Sequence, residues 1–162
     1  IVQEKGDSEI SFIFLGDGAV RPKMEALVNQ YGLKNVSFLG KHNMSVVTEV
    51  VNCCDVTVTT FRNLPILQTN SPNKLFDSLS AGKPIIVNSA GWTKCMAEKE
   101  KCGFFVDPED PADFANKLLY YKDKNEELKL MGENSRRLSI EVYDKNILSA
   151  QVADVLEKCA KA

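Results

Sequence analysis

The chain has 162 residues and 44% of them are hydrophobic, enough for the core of one domain of ordinary size. Its 20 basic and 22 acidic side chains leave a net charge of -2, which removes the electrostatic case for binding nucleic acid or an anionic membrane surface. The longest apolar runs, such as Phe12–Leu15 and Pro84–Val87, fall far short of the roughly 20 residues that span a bilayer, and the first residues carry no secretory signal pattern.

Strand-length apolar runs alternate with helical patterns from the start. Ser11–Leu15, Val36–Leu39, Val56–Thr59, Pro84–Val87 and Gly103–Val106 are short, rich in β-branched or aromatic residues, and bounded by Gly, Asn, Asp or Pro. Helices are expected between them at about Pro22–Tyr31, Ser45–Cys53, Pro72–Ala81 and Thr93–Lys101. In the first of these, Met24, Leu27, Val28 and Tyr31 recur at three- and four-residue spacing, so one face should be buried. The alternation predicts an α/β fold: a Rossmann-like parallel sheet with helices on both faces. Strands covered on both faces should read as continuous apolar runs, and Phe12–Leu15 does. Beyond Val106 a turn-rich stretch, Asp107–Pro111, leads into a C-terminal helical tail at about Ala112–Lys122, Glu126–Ser139 and Lys145–Lys158.

Five cysteines are present, an odd number, and no two have C-x-x-C spacing. This argues against a zinc site or a disulfide framework and for reduced thiols in a cytoplasmic protein. The chain opens on Ile1 rather than Met, so a piece of something longer is expected.

The chemistry is concentrated in Thr69–Pro84. Ser71 has the residue type of a helix N-cap, Pro72 suits the first helical position, and Gly82 suits a left-handed stop. Free N–H groups and the macrodipole make a helix N-terminus after a parallel strand an anion site. Asn73 and Lys74 lie in that first turn, within reach of a phosphate. Asp77 lies one turn on, where a carboxylate can accept hydrogen bonds from vicinal ribose hydroxyls. Leu75, Phe76 and Leu79 should face the core. The alternative from spacing alone is a capped surface helix with solvated Lys74 and Asp77.

The run Ser71-Pro72-Asn73-Lys74-Leu75-Phe76-Asp77, followed by Ala81-Gly82-Lys83-Pro84, resembles the donor-site helix of family 4 retaining glycosyltransferases, in the branch that makes bacterial capsule and lipopolysaccharide sugars. Phe14-Leu15-Gly16-Asp17-Gly18, Asn35–Gly40, Cys54–Val58 and Gly103–Pro108 resemble further pieces of that family in the right order, covering roughly residues 10–138. The resemblance implies the C-terminal, nucleotide-sugar-binding half of a GT-B fold, with 1–162 a single domain that lacks its first strand and the N-terminal acceptor domain. It implies a phosphate-facing turn from Ser71, Pro72, Asn73, Lys74 and Leu75, with Asp77 on the ribose. It also places Gly16, Asp17 and Gly18 in the same cleft and Gly40 and Lys41 near the base. It identifies no catalytic residue in this chain. The implied partners are a nucleoside diphosphate sugar, UDP favoured over GDP, and a glycan or lipid-linked acceptor bound by the missing domain. No cofactor or metal is expected. The full-length protein is expected in the cytoplasm, with peripheral association at the inner face of the membrane compatible with a lipid-linked acceptor.

This sequence departs from the family pattern in two places. Thr69 stands where the first acid of the family's Glu, seven residues, Glu motif is expected. The upstream strand with its Gly-Arg and Lys is not found in residues 1–10, where Lys5-Gly6 is the nearest remnant. Two other classes stay open beside the transferase: a GT-B-related nucleotide-sugar 2-epimerase and a non-catalytic Rossmann-like binding module.

The other polar residues have plainer readings. Gly16-Asp17-Gly18 lacks the third glycine of a dinucleotide fingerprint and reads as a tight turn at a strand end. His42, the one histidine, reads as a surface or hydrogen-bonded residue with a base contact as the alternative. Cys53 and Cys54 read as small apolar packing residues, Trp92 as a packing or loop residue with a cleft-facing role as the alternative, and Arg136 and Arg137 as a solvated helix face.

Overall fold

A computed structural model describes residues 1–5 and 9–161, so Gly6 lies outside the described residues. The order is β1 (Phe12–Leu15), α1 (Arg21–Gln30), β2 (Val36–Gly40), α2 (Met44–Cys53), β3 (Thr57–Thr59), a 3-10 turn at Pro65–Thr69, α3 (Asn73–Ser80), β4 (Ile85–Val87), α4 (Trp92–Lys99), β5 (Gly103–Phe105), α5 (Pro111–Tyr121), α6 (Asn125–Glu141) and α7 (Lys145–Ala160). The strands and α-helices fall where the pattern places them, with ends moved by one or two residues. The 3-10 turn has no counterpart in the periodicity.

All strand pairs are parallel, but they form two separate hydrogen-bonded sheets: β1–β2, and β3–β4–β5. In the second sheet the two-residue period sorts the side chains onto opposite faces. Ile85 and Val87 pack with Leu75 and Leu79 of α3, Met96 and Ala97 of α4 and Leu138 of α6. Ile86 points the other way, into a cluster with Phe104, Val106 and Leu118 of α5. Helices therefore cover both faces of this sheet. Leu75, Leu79, Ile85 and Ile86 are all fully buried, each a burial worth roughly 1.5–3 kcal/mol.

The first sheet is built differently. No residue of β1, α1, β2 or α2 is buried. Ile13 and Phe14 remain 46% and 42% exposed, against the expectation of a strand covered on both faces. Leu27 and Tyr31 of α1 are exposed as well, so that helix does not bury the face its spacing marks out. The reason lies in the neighbours. Phe12 of β1 packs with Phe114 of α5, the rings edge-on at 6.4 Å, and among the described residues no strand pairs with the β1 edge away from β2. Phe14 and Phe38 stack on each other at 5.1 Å, each ring covering part of the other.

The tail divides. α6 packs against α3, while α7, capped at its start by the Asp144 carboxylate on the Asn146 amide, has no buried residue. Arg136 and Arg137 are not simply solvated. Arg136 donates to the Ser80 carbonyl at 2.6 Å, and Arg137 pairs with Glu100 at 3.0 Å and Glu141 at 3.4 Å.

Candidate functional site

The chain leaves β3 at Thr59, passes through the 3-10 turn and runs extended through Asn70–Pro72 before α3 begins. Helix α3 starts at Asn73, one residue later than expected, and its N-cap is Pro72 rather than Ser71. Pro72 keeps an extended backbone, with ψ at 137°, and its carbonyl takes the Leu75 amide at 3.0 Å. The Ser71 hydroxyl caps nothing, because proline at the next position holds Ser71 outside the helix.

With no side chain capping the helix, the amides of Asn73 and Lys74 have neither an intrahelical partner nor a side-chain acceptor among the described residues. Both residues are exposed, as is Asp77 one turn on, whose carboxylate forms no ion pair or hydrogen bond among the described residues. The Lys74 ammonium stands 5.3 Å from the centroid of the Phe61 ring. Leu75 differs from its neighbours: its side chain is fully buried and its amide is engaged. The far end of α3 closes as a Schellman motif, with Gly82 at φ +65°, its amide on Leu79 and that of Lys83 on Ser78.

Gly16, Asp17, Gly18, Gly40 and Lys41 gather at the C-terminal ends of β1 and β2. The Gly16 amide donates to the Gly40 carbonyl at 2.7 Å beyond a register shift at Phe14/Leu15, and the Gly18 amide donates to the Asp17 carboxylate at 2.8 Å. The His42 ring sits 2.8 Å from the Leu39 carbonyl, so one ring nitrogen is already engaged in its own turn. Both groups of residues follow the carboxyl ends of parallel strands, the edge where open α/β sheets take ligands. They belong to the two different sheets, and no hydrogen bond between the groups is seen among the described residues.

Sequence reading missed what holds the turn in place. Asn88, just beyond β4, pairs with the backbone of Phe61 twice: its Oδ1 accepts from the Phe61 N–H and its Nδ2 donates to the Phe61 carbonyl, both at 2.8 Å. Ser89 Oγ donates to the Leu67 carbonyl at 3.3 Å. Trp92 Nε1 donates to the Asn70 carbonyl at 2.9 Å, and its ring stacks on Phe76 of α3 at 6.3 Å. A β-carbon on Gly91 would lie 2.0 Å from the Gln68 carbonyl oxygen. A polar residue directly after an apolar parallel strand was the available signal; its partners lie over twenty residues away in sequence. Thr69, where an acid was expected, spends its hydroxyl on the Ile66 carbonyl at 2.9 Å.

The opposite end of the second sheet carries a groove of about 430 Å³ lined by Asp55, Lys83, Lys129, Glu133 and Arg136 among others. Two of its cations act as helix caps, Lys83 on the Asn52 carbonyl at 2.7 Å and Arg136 on Ser80. Cys54 borders it half-buried with its thiol pushed up by desolvation, the opposite of a nucleophile's tuning. Cys53 is exposed rather than packed. No cluster of His, Cys, Asp or Glu suited to a metal ion occurs among the described residues, and no helix there is long and apolar enough to cross a membrane.

Parallel sheets flanked by helices, with polar loops gathered at the carboxyl ends of the strands, define a Rossmann-like α/β domain of the type that forms one half of a GT-B fold. The chain belongs to the family Glycosyl transferases group 1, whose model matches residues 1–138. It is 23% identical over 133 residues to an uncharacterized glycosyltransferase of Methanocaldococcus jannaschii, covering 82% of this chain and 36% of that one. Among solved structures it is similar to sucrose-phosphate synthase from Thermosynechococcus elongatus, with TM-score 0.78, 19% identity, and coverage of 92% of this chain and 38% of the other. It is similar also to Anabaena HepE in complex with UDP-glucose, with TM-score 0.80, 18% identity, and coverage of 97% and 43%. At these identities the structures share the fold. The chain spans less than half the length of each of these relatives.

Proposed function

We propose that this chain is the donor-binding domain of a glycosyltransferase that moves a sugar from a nucleoside diphosphate sugar to a glycan or lipid-linked acceptor with retention. The observation that carries this reading is the open N-terminus of α3. Two unpartnered amides and the Lys74 ammonium meet the diphosphate, while Asp77, one turn on, accepts from the ribose hydroxyls. Charge on the leaving diphosphate is met by the helix end and Lys74, so this reading requires no metal. UDP is favoured over GDP, in keeping with the UDP and UDP-glucose bound to the similarly folded HepE.

In the same reading the acceptor domain, and a strand between β1 and β3, belong to polypeptide outside these 162 residues. Two observations support it. Among the described residues no strand pairs with the β1 edge away from β2 or with the β3 edge away from β4. The relatives are more than twice as long. Free cysteines fit a cytoplasmic protein, working at the inner face of the membrane if its acceptor is lipid-linked.

Calorimetric titration of the full-length polypeptide with UDP, GDP and NAD tests the reading. UDP binding that is weakened in Asp77→Ala supports it, and no response to any of the three sinks it. Product analysis with UDP-GlcNAc separates transfer from 2-epimerisation.

A further inference from the structure

The Ser71–Lys74 turn has no capping side chain of its own, yet both of its sides are tied to one short segment, Asn88–Trp92, between β4 and α4. Trp92 grips the two arms that meet at the turn. Its indole N–H holds the Asn70 carbonyl on the incoming strand, and its ring lies within 20° of parallel to Phe76 on the outgoing helix. Trp92 thus links the two arms whose junction carries the Asn73 and Lys74 amides. Asn88 holds the residue on which the Lys74 cation rests. Its amide closes a two-bond ring with the Phe61 backbone, and Phe61 is the ring over which the Lys74 ammonium sits. Gly91 completes the platform by letting the Gln68 carbonyl approach to a distance that any side chain would block.

We propose that Asn88 and Trp92 are positioning residues for the phosphate-binding turn: they touch no nucleotide themselves and fix the geometry of the groups that do. The inference rests on the donor-site reading above. The geometry makes it specific to the diphosphate. Asn88 and Trp92 reach the turn and the Lys74 platform, and among the described residues neither hydrogen-bonds to Asp77 or to the β1–β2 loops assigned to the rest of the nucleotide. A positioning error of about 1 Å is enough to weaken several charge-assisted hydrogen bonds together.

Two variants of the full-length polypeptide test this, Asn88→Ala and Trp92→Phe. The second keeps an aromatic ring against Phe76 while removing the N–H to Asn70 and part of the indole's volume, a milder change that protects the test against a folding failure in the first. NMR-detected titrations with UDP and with uridine are compared. The expected result is UDP affinity lowered about tenfold in each variant with uridine affinity unchanged, the loss of roughly one well-placed hydrogen bond to a charged group. UDP affinity equal to wild type, or UDP and uridine weakened by the same factor, overturns the positioning role. If wild type binds neither UDP nor GDP, the donor-site reading fails first, and this outcome is distinct from wild type binding UDP while both variants bind it equally.

Discussion

Gly132 of α6 rests against the backbone of Gly82, the residue that ends α3: a β-carbon on Gly132 would stand 2.4 Å from the Gly82 carbonyl oxygen. The contact draws α6 close to α3 and the turn that enters β4, and Ser135 one turn on reaches the Cys102 carbonyl at 3.2 Å. Two effects compete in Gly132→Ala. Helix propensity favours alanine by about 1 kcal/mol. Overpacking against a backbone atom that cannot rotate away costs about 1–3 kcal/mol. The steric effect should win, lowering the urea midpoint with the slope unchanged. A variant as stable as wild type would show that the two elements can separate freely.

Gly91 and Gly18 form a contrasting pair. A β-carbon at Gly91 meets Gln68 at 2.0 Å, whereas one at Gly18 meets nothing within 4 Å. Gly91→Ala should displace the 3-10 turn and lower UDP affinity about tenfold, the scale of one lost charge-assisted hydrogen bond. Gly18→Ala should stay within about 0.5 kcal/mol of wild type in stability. Thermal melts and UDP titrations of both variants check this.

Cys102 is fully buried beneath α6, and desolvation pushes its thiol up to about 11 from an ordinary 9.0. Native protein at pH 8 should therefore alkylate at the exposed Cys53, Cys95 and Cys159 and spare Cys102, as read by peptide mass spectrometry. The sign of the linkage follows. Below pH 9 both folded and unfolded thiols are protonated and the shift has no effect. Between pH 9 and 11 the unfolded thiol releases its proton first, so stability falls, by about 2–3 kcal/mol at the top of that range. Cys102→Ala should remove that share of the alkaline loss in urea titrations.

Asp77 gives a test at the level of single hydroxyl groups. Wild-type protein should bind UDP about tenfold more tightly than 2′-deoxy-UDP, the value of one hydrogen bond to a carboxylate. Asp77→Ala should bind the two ligands equally. Lys74→Ala should keep the discrimination, weaken both ligands, and flatten the dependence of affinity on salt. Discrimination that survives in Asp77→Ala would move the ribose contact to another residue.

Much of this protein is decided locally. Pro84 and Gly82 end one element and open the next, Asp110 and Asp144 cap α5 and α7, and alternation of residue types fixes which segments are strands. These effects act over a few residues, so sequence order alone suffices to read them, and the family-like run Ser71–Asp77 is legible for the same reason. The capping of α3 shows the limit even at short range: Ser71 has the right chemistry, but proline at the next position keeps it outside the helix.

What needed the tertiary structure is everything that depends on neighbours distant in the chain. The apolar run Phe12–Leu15 looks like a covered strand, yet whether Ile13 and Phe14 are covered depends on elements that a local pattern cannot count. The hold of Asn88 on Phe61 and of Trp92 on Asn70 joins residues 27 and 22 apart. Composition and spacing located the turn that faces the proposed nucleotide. Only the packing of β4 and α4 against the preceding loop decided how rigidly that turn is aimed, because hydrogen bonds between distant segments exist only once the core has brought those segments together.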